Sequence, residues 1–315
     1  MLRIGVTGRT GQVAQTLRER GPIASVEIVV LARPHADLLD ADSIARAIEA
    51  AGCDVIVNAA AYTNVERAEA EPDLAMAINA DGARHVAMAA KAVGIPVIQI
   101  STDYVFDGEA ARPYREDDVP APLGAYGRSK LAGERAVAET HANHVILRTA
   151  WIYSATGHNF VRRMLQLAET RSFVGVVADQ IGCPTYAPDL ADVIVAIAAQ
   201  HVVKTGTAAL RGIFHAAGTG GTSRAELARA IFAGSARRGC APVRVDEIAT
   251  ADYPAPVQRP ANSRLDAHKL AMLYRLQLPD WRQSLETCLD RLLAPVLAPD
   301  RDASLRHESP LREGR

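Results

Sequence analysis

Short apolar runs at residues 2–6, 27–31, 54–58, 97–100 and 145–147 alternate with amphipathic stretches at 12–20, 41–51, 73–93 and 125–139. No other feature restricts the fold of this chain as tightly. A strand feeding a helix and then another strand builds a βαβ unit, and successive units give a parallel sheet with helices on both faces. Ligands collect at the carboxyl ends of the strands in such sheets. The pattern predicts an α/β fold, a Rossmann-type doubly wound parallel sheet. After Trp151 the alternation weakens, and Gly, Pro and isolated aromatic residues become commoner. That shift predicts a smaller C-terminal substrate-binding domain over 151–297, following a dinucleotide-binding domain over 1–150 that later segments complete. The polar, mixed-charge stretch 298–315 is expected to be a disordered tail.

Thr7-Gly8-Arg9-Thr10-Gly11-Gln12-Val13-Ala14 follows the first strand and opens the first helix. A glycine pattern alone is weak, but this strand–turn–helix setting gives it weight. Gly8 permits the tight turn, and Gly11 lets backbone approach a pyrophosphate at the helix N-terminus, where free amides and the helix dipole favour negative charge. Ala14 takes the third position, where helix and strand pack closely. An earlier register, Gly5…Gly8…Gly11, would bury its first glycine inside the strand, so the later one is preferred. Gly8, Thr10, Gly11, Gln12 and Val13 are therefore candidate cofactor-binding residues. The second strand ends at Leu31-Ala32-Arg33, with Arg where NAD-preferring proteins carry an acid. Arg33 can pair with a 2′-phosphate, which favours NADPH while leaving NADH open; a solvated surface charge is the alternative. Asp37 and Leu38 are placed to edge the adenine.

Tyr126 and Lys130 are four residues apart, one turn from each other on a helix face. A cation there is expected to favour the ionised phenol and lower the Tyr126 pKa toward the working range for proton transfer. Lys130 can also hold a cofactor ribose. Only four of the 35 basic residues are Lys, and Arg is no substitute for a compact, strongly hydrated charge. The pair gains weight from the hydroxyl-bearing strand end Ser101-Thr102-Asp103 that precedes it.

Composition excludes several classes. Net charge is −1 with 23% charged residues, which points away from nucleic acid and from a membrane surface. No apolar run is long enough to span a bilayer and no signal peptide is visible, so a cytoplasmic protein is expected. Cys53, Cys183, Cys240 and Cys288 form no CxxC pair and are expected to be reduced thiols. The histidines show no metal-ligand spacing; His141 and His144 are expected at the surface. Glu66-Arg67-Ala68-Glu69-Ala70-Glu71 has the look of a solvated helix face. Asn79 is expected to support active-site backbone.

Longer strings make the chain resemble the dTDP-4-dehydrorhamnose reductase family, extended short-chain dehydrogenase/reductases. They are Gly11-Gln12-Val13, the run from Asp54 to Thr63, that from Ser101 to Gly108, that from Tyr126 to Glu134, and Arg148-Thr149-Ala150-Trp151-Ile152-Tyr153. Asp179-Gln180-Ile181-Gly182-Cys183-Pro184-Thr185, the run from Arg259 to Asp266, and Leu278-Pro279-Asp280-Trp281 extend the likeness to about residue 295. The resemblance implies Thr102, Tyr126 and Lys130 as catalytic residues. It implies a cofactor, NADPH or NADH, held by Gly11-Gln12-Val13, Asp37-Leu38 and the stretch Ala60-Ala61-Tyr62-Thr63, with Tyr126 and Lys130 also touching it. Thr102, Asp103 and Trp151 match positions that contact the sugar of a dTDP-sugar substrate. Ala14, Glu66 and Ala150 depart from the residues usual in the family. Some relatives bind Mg²⁺ through glutamates at a dimer interface; Thr16 and Pro188 stand at those positions, so Mg²⁺ is doubtful, and a monomer or a homodimer is expected.

The expected chemistry is reduction of a nucleotide-sugar C4 ketone, with Tyr126 as proton donor and Thr102 bonding the carbonyl oxygen. Trp151 is expected to stack on a sugar or nucleotide ring, and Asp103 to bind a sugar hydroxyl or its own turn. Two other readings stay open. One is an epimerase or 4,6-dehydratase, although Tyr104 follows Thr102-Asp103 where dehydratases carry Glu. The other is a non-catalytic regulatory subunit resembling that of methionine adenosyltransferase.

Overall fold

The computed structural model describes residues 1–203, 207–253 and 256–294; the expected tail at 298–315 lies outside the described residues. The first half runs β1 (Arg3–Thr7), α1 (Gln12–Ile23), β2 (Glu27–Leu31), α2 (Ala41–Ala51), β3 (Val55–Asn58), α3 (Val65–Ala70), α4 (Pro72–Met76), a π-helical turn (Ala77–Asp81), α5 (Gly82–Ala92), β4 (Val97–Thr102), α6 (Ala125–Thr140) and β5 (His144–Thr149). The second half runs β6 (Ile152–Tyr153), α7 (Phe160–Ala168), β7 (Phe173–Val177), β8 (Ile181–Gly182), β9 (Thr185–Tyr186), α8 (Ala187–Val203), β10 (Gly212–His215), β11 (Thr222–Ser223), α9 (Arg224–Ala236), β12 (Arg244–Ile248), α10 (His268–Tyr274) and α11 (Trp281–Leu293).

Six parallel strands make the central sheet, in the order β10-β5-β4-β3-β1-β2. The chain leaves β1 for β2 on one side and comes back to β3 on the other. The strand order reverses there, which opens a crevice at their carboxyl ends. β10 returns from the second half to pair with β5. Helices α1, α8 and α10 bury one face of the sheet through Leu17, Leu190, Ile194, Ile197 and Leu270. Helices α2, α5 and α6 bury the other through Ile44, Ile48, Val86, Ala90 and Val137. Strands covered on both faces need apolar residues throughout, and every residue of β3 and β4 is buried. A separate core gathers Val161 and Met164, Val174 and Val176, Ile231 and Phe232, and Trp281, Leu285 and Leu289 from α7, β7, α9 and α11.

α2 spans the residues expected of it because both ends are specified. Asp40 accepts the N–H groups of Asp42 and Ser43, and Gly52 closes the helix in the left-handed conformation, at φ 55°. The stretch at 73–93, expected as one helix, is instead split into α4, the π-helical turn and α5. The reason is Asn79. Within the π turn its side chain accepts the Tyr62 N–H (2.8 Å) and donates to the Tyr62 carbonyl (3.0 Å) and to Ser129 Oγ (2.9 Å). The extra residue per turn re-aims one side chain, a recurrent use of π turns near functional sites. Asn79 thus supports backbone near the crevice, as expected.

α6 is drawn against its neighbours by close approaches and buried charge. A Cβ on Gly127 would lie 2.2 Å from the Tyr104 carbonyl oxygen, and one on Gly133 2.1 Å from that of Asn79; only glycine fits at either. Glu134 makes a two-pronged ion pair with Arg148 of β5 (2.7 and 2.9 Å) and accepts from Ser101 of β4, all of them buried. The charge run at 66–71 is not simply solvated. Glu69 accepts the Ala125 N–H at the start of α6 (2.5 Å), Glu66 pairs with Arg259 (3.1 Å), and Glu71 accepts from Tyr62 (2.7 Å). His141 also departs from expectation: it is buried, its Nε2 2.9 Å from the Ile95 carbonyl, and His144 Nδ1 lies 2.7 Å from the His141 carbonyl.

Removing one partner of a buried ion pair leaves an uncompensated charge, which costs about 3–5 kcal/mol. Glu134→Gln is therefore expected to lower the unfolding free energy by about that much, with E134L/R148M together recovering most of the loss. Denaturant titration of both variants checks this.

Candidate active site

Thr7, at the end of β1, begins a polar chain across β1, β3 and β4. Its hydroxyl donates to Asn58 (2.6 Å) and accepts from the Ala60 N–H (3.0 Å), while Asn58 donates to Gln99 (2.7 Å). These bonds fix the crevice walls. Gly8 turns the chain at φ +89°, a conformation that favours glycine. Gly11 then caps α1 without any side-chain bond, so the first amides of the helix are free for an anion. A Cβ on Gly11 would meet nothing within 4 Å: the backbone there faces open space.

That space is a cavity of about 530 Å³ lined by Gly8, Thr10, Gly11, Arg33, Asp37, Leu38, Ala60, Ala61 and Thr63, all expected from sequence. Arg9, which sequence reasoning passed over, joins them; both Arg9 and Arg33 are exposed at its edge. Tyr62 does not line it. Its ring instead packs with Ala68, Ala75 and Ala125, and its hydroxyl donates to Glu71. Gly5 lies inside β1, consistent with the later glycine register.

A second cavity, about 360 Å³, shares Gly11, Ala59, Ala61 and Thr63 with the first. It takes in Gln12, Val13, Thr102, Asp103, Tyr126, Lys130 and Trp151. Gln12 Oε1 accepts from Ser154 (3.1 Å) and Asn159 (2.9 Å), which ties the glycine turn to the segment before α7. β4 and β5 are in register, with Thr102 opposite Thr149 at their carboxyl ends.

The electrostatics of the pair differ from the expectation. Burial pushes the Tyr126 hydroxyl above its ordinary value, against a hydrogen bond with Thr102 that lowers it. Lys130 is one turn away, but its Nζ donates to the Ile100 carbonyl at 2.7 Å, and burial lowers its pKa to about 8. The polypeptide alone therefore keeps the phenol protonated, because desolvation outweighs the Thr102 hydroxyl, the one influence that lowers it. Thr102 Oγ1 donates to Asp103 (2.9 Å) and accepts from the Tyr104 N–H (3.2 Å). Burial pushes the Asp103 carboxyl up to about 6, opposed by the nearby hydroxyls of Ser263 and Thr102 and by the charge of Arg224. Asp103 Oδ2 and Thr149 Oγ1 are buried without a hydrogen-bond partner among the described residues. Both belong to residues lining this cavity, so a ligand hydroxyl would satisfy Asp103 Oδ2, and a ligand hydroxyl or carbonyl Thr149 Oγ1.

Trp151 separates this cavity from an outer one of about 660 Å³. Its backbone is left-handed, at φ 46°, unusual for a bulky residue. The Arg224 guanidinium lies on the indole, 3.4 Å from the ring centroid. Gly182 packs against the indole too, since a Cβ there would come within 2.3 Å of it. Among the described residues no group of three His, Cys, Asp or Glu is placed to hold a metal. Thr16 is buried in α1 and Pro188 lies in α8. No described helix is long and apolar enough to cross a membrane.

Comparison with known proteins shows the family. The family model of the RmlD substrate binding domain matches residues 2–294. The dTDP-4-dehydrorhamnose reductase of Sinorhizobium fredii is 45% identical over 302 residues, covering 96% of this chain and all of the relative. That of Burkholderia thailandensis is 42% identical over 298 residues, covering 93% of this chain and all of the relative. The crystal structure of dTDP-4-dehydrorhamnose reductase from Bacillus anthracis in complex with NADP superposes with a TM-score of 0.85 at 36% identity, over 92% of this chain and all of that one. On that coverage and identity, the chain belongs to the dTDP-4-dehydrorhamnose reductase family.

Proposed function

We propose that this protein reduces the C4 ketone of dTDP-4-dehydro-L-rhamnose to dTDP-L-rhamnose, using NADPH in preference to NADH. The observation that carries this is the meeting of Thr102 and Tyr126 in a cavity that opens into the glycine-turn groove. The groove fits a dinucleotide: the uncapped amides at the start of α1 and the open space at Gly11 suit its diphosphate. Arg9 and Arg33 at the edge suit a 2′-phosphate. Bound NADPH supplies the hydride.

The side chains supply the rest. Tyr126, held protonated by its buried setting, donates its proton to the carbonyl oxygen as negative charge develops there. Thr102 gives that oxygen a second hydrogen bond once its hydroxyl turns from Asp103. Lys130, charged below about pH 8, lies one turn from the phenolate that proton donation leaves and stabilises it. The unpartnered Oδ2 of Asp103 accepts a sugar hydroxyl. Tyr104, edge-on to Tyr126 with ring centroids 5.6 Å apart, occupies the position where a dehydratase needs a carboxylate, which disfavours that alternative.

Tyr126→Phe should lose roughly 10²–10⁴-fold in kcat while melting like the wild type; wild-type turnover of the ketosugar by a folded Y126F protein would end the assignment. The double variant R9A/R33A is expected to weaken NADPH binding roughly 10²–10⁴-fold and leave NADH within about twofold, since each of the two charge-assisted bonds to phosphate contributes about 1.5–3 kcal/mol. Fluorescence titration with both nucleotides reads this. Asp103 ionises near pH 6 in the fold and near 3.8 as a free side chain, so its ionisation destabilises the native state as pH rises through that window. Asp103→Asn should therefore melt above the wild type at pH 8, with the gain shrinking as pH falls from 6 and vanishing below about pH 3, and should raise KM for the sugar nucleotide.

A further inference from the structure

Six side chains are common to the catalytic cavity and the outer one: Val65, Tyr104, Trp151, Ile152, His158 and Arg224. They form the neck through which any ligand occupying both must pass. Arg224 is the one permanent cation among them. Its guanidinium makes no hydrogen bond or ion pair with any described residue; its contacts are the faces of Trp151 (3.4 Å) and Phe160 (5.2 Å). The other arginines of the outer cavity stand elsewhere. Arg163 and Arg171 do not reach the neck, and Arg259 is paired with Glu66. No Asp or Glu lines the outer cavity. On the catalytic side Asp103 attracts Arg224 but lies beyond ion-pair distance and is bonded to Thr102.

We infer that Arg224 is a specificity-determining residue that grips the diphosphate of the sugar nucleotide at this neck. The inference rests on the reductase reading. In a nucleoside-diphosphate sugar the diphosphate is the only link between sugar and nucleoside. With the sugar beside Thr102 and Tyr126 and the nucleoside in the outer cavity, the diphosphate has to cross the neck. The planar guanidinium offers a forked set of donors to phosphate oxygens. Stacking on Trp151 holds that fork in place before the ligand arrives, so little side-chain freedom is lost on binding. Burial lowers the Arg224 pKa to about 10 and leaves it charged at neutral pH. A half-buried cation without an anion is poorly compensated, and a diphosphate supplies what is missing.

Calorimetric titration of the full chain with dTDP, dTMP and thymidine, each in the wild type and in R224M and R224K, tests this. R224M is expected to weaken dTDP roughly 10–100-fold, dTMP less, and thymidine less than twofold, with NADPH affinity and Tm maintained; R224K should keep part of the dTDP affinity. A purely structural role for Arg224 would lower Tm and weaken all three ligands alike, and that result overturns the inference, as does unchanged dTDP binding or a loss confined to NADPH. Turnover of dTDP-4-dehydro-L-rhamnose by the wild type, followed as NADPH consumption, reports separately on the reductase reading. A wild type that reduces the ketosugar while R224M binds dTDP normally defeats only the role of Arg224. A wild type without turnover whose dTDP affinity still depends on Arg224 defeats only the reaction.

Discussion

Two full charges lie inside the protein where α6 meets β4 and β5. Glu134 and Arg148 are almost wholly removed from water and hold each other at 2.7 Å. Burying such a pair is expensive, and replacing it by well-packed apolar side chains is often neutral or stabilising. Its structural consequence is directional. Bidentate geometry, with Ser101 as a third partner, fixes the rotation of α6 relative to the strand that ends in Thr102. Lys130 lies about one turn and Tyr126 just over two turns before Glu134 on that helix, so the pair sets where they face. Gly127 and Gly133 let α6 come close enough for it to form.

Water exclusion then decides the chemistry. Desolvation is the largest influence on Tyr126, Lys130 and Asp103, and it moves each toward its neutral form. A phenol that stays protonated suits donation to a developing alkoxide. An ammonium near its titration range responds to charge formed beside it. The local proton inventory is thus a property of the enclosure rather than of the residue types alone.

Much of the fold was legible in the sequence. Alternation marked all five strands of the first half, and amphipathic periodicity marked α2, whose ends Asp40 and Gly52 close in the structure. The glycine turn was legible because Gly8 and Gly11 answer local demands, one a left-handed φ and the other an open helix terminus. Other assignments missed because their causes lie far away in the chain. Periodicity through 73–93 could not reveal that Asn79 must reach Tyr62 and Ser129, which splits the helix. Tyr62 sits in a cofactor-like string, but Glu71 takes its hydroxyl. The acidic run at 66–71 looks solvated until Ala125 and Arg259 arrive from elsewhere in the chain.

By itself the sequence determined the alternating architecture, the phosphate-ready turn and the grouping of Thr102, Tyr126 and Lys130, because period, backbone permissiveness and side-chain chemistry are local properties. Tertiary structure alone decided which of these groups lose water, where Lys130 points, and that Arg224 lies on Trp151. Burial and long-range contact arise only when segments remote in the chain are packed together, and the neck between the two cavities exists only in that packing.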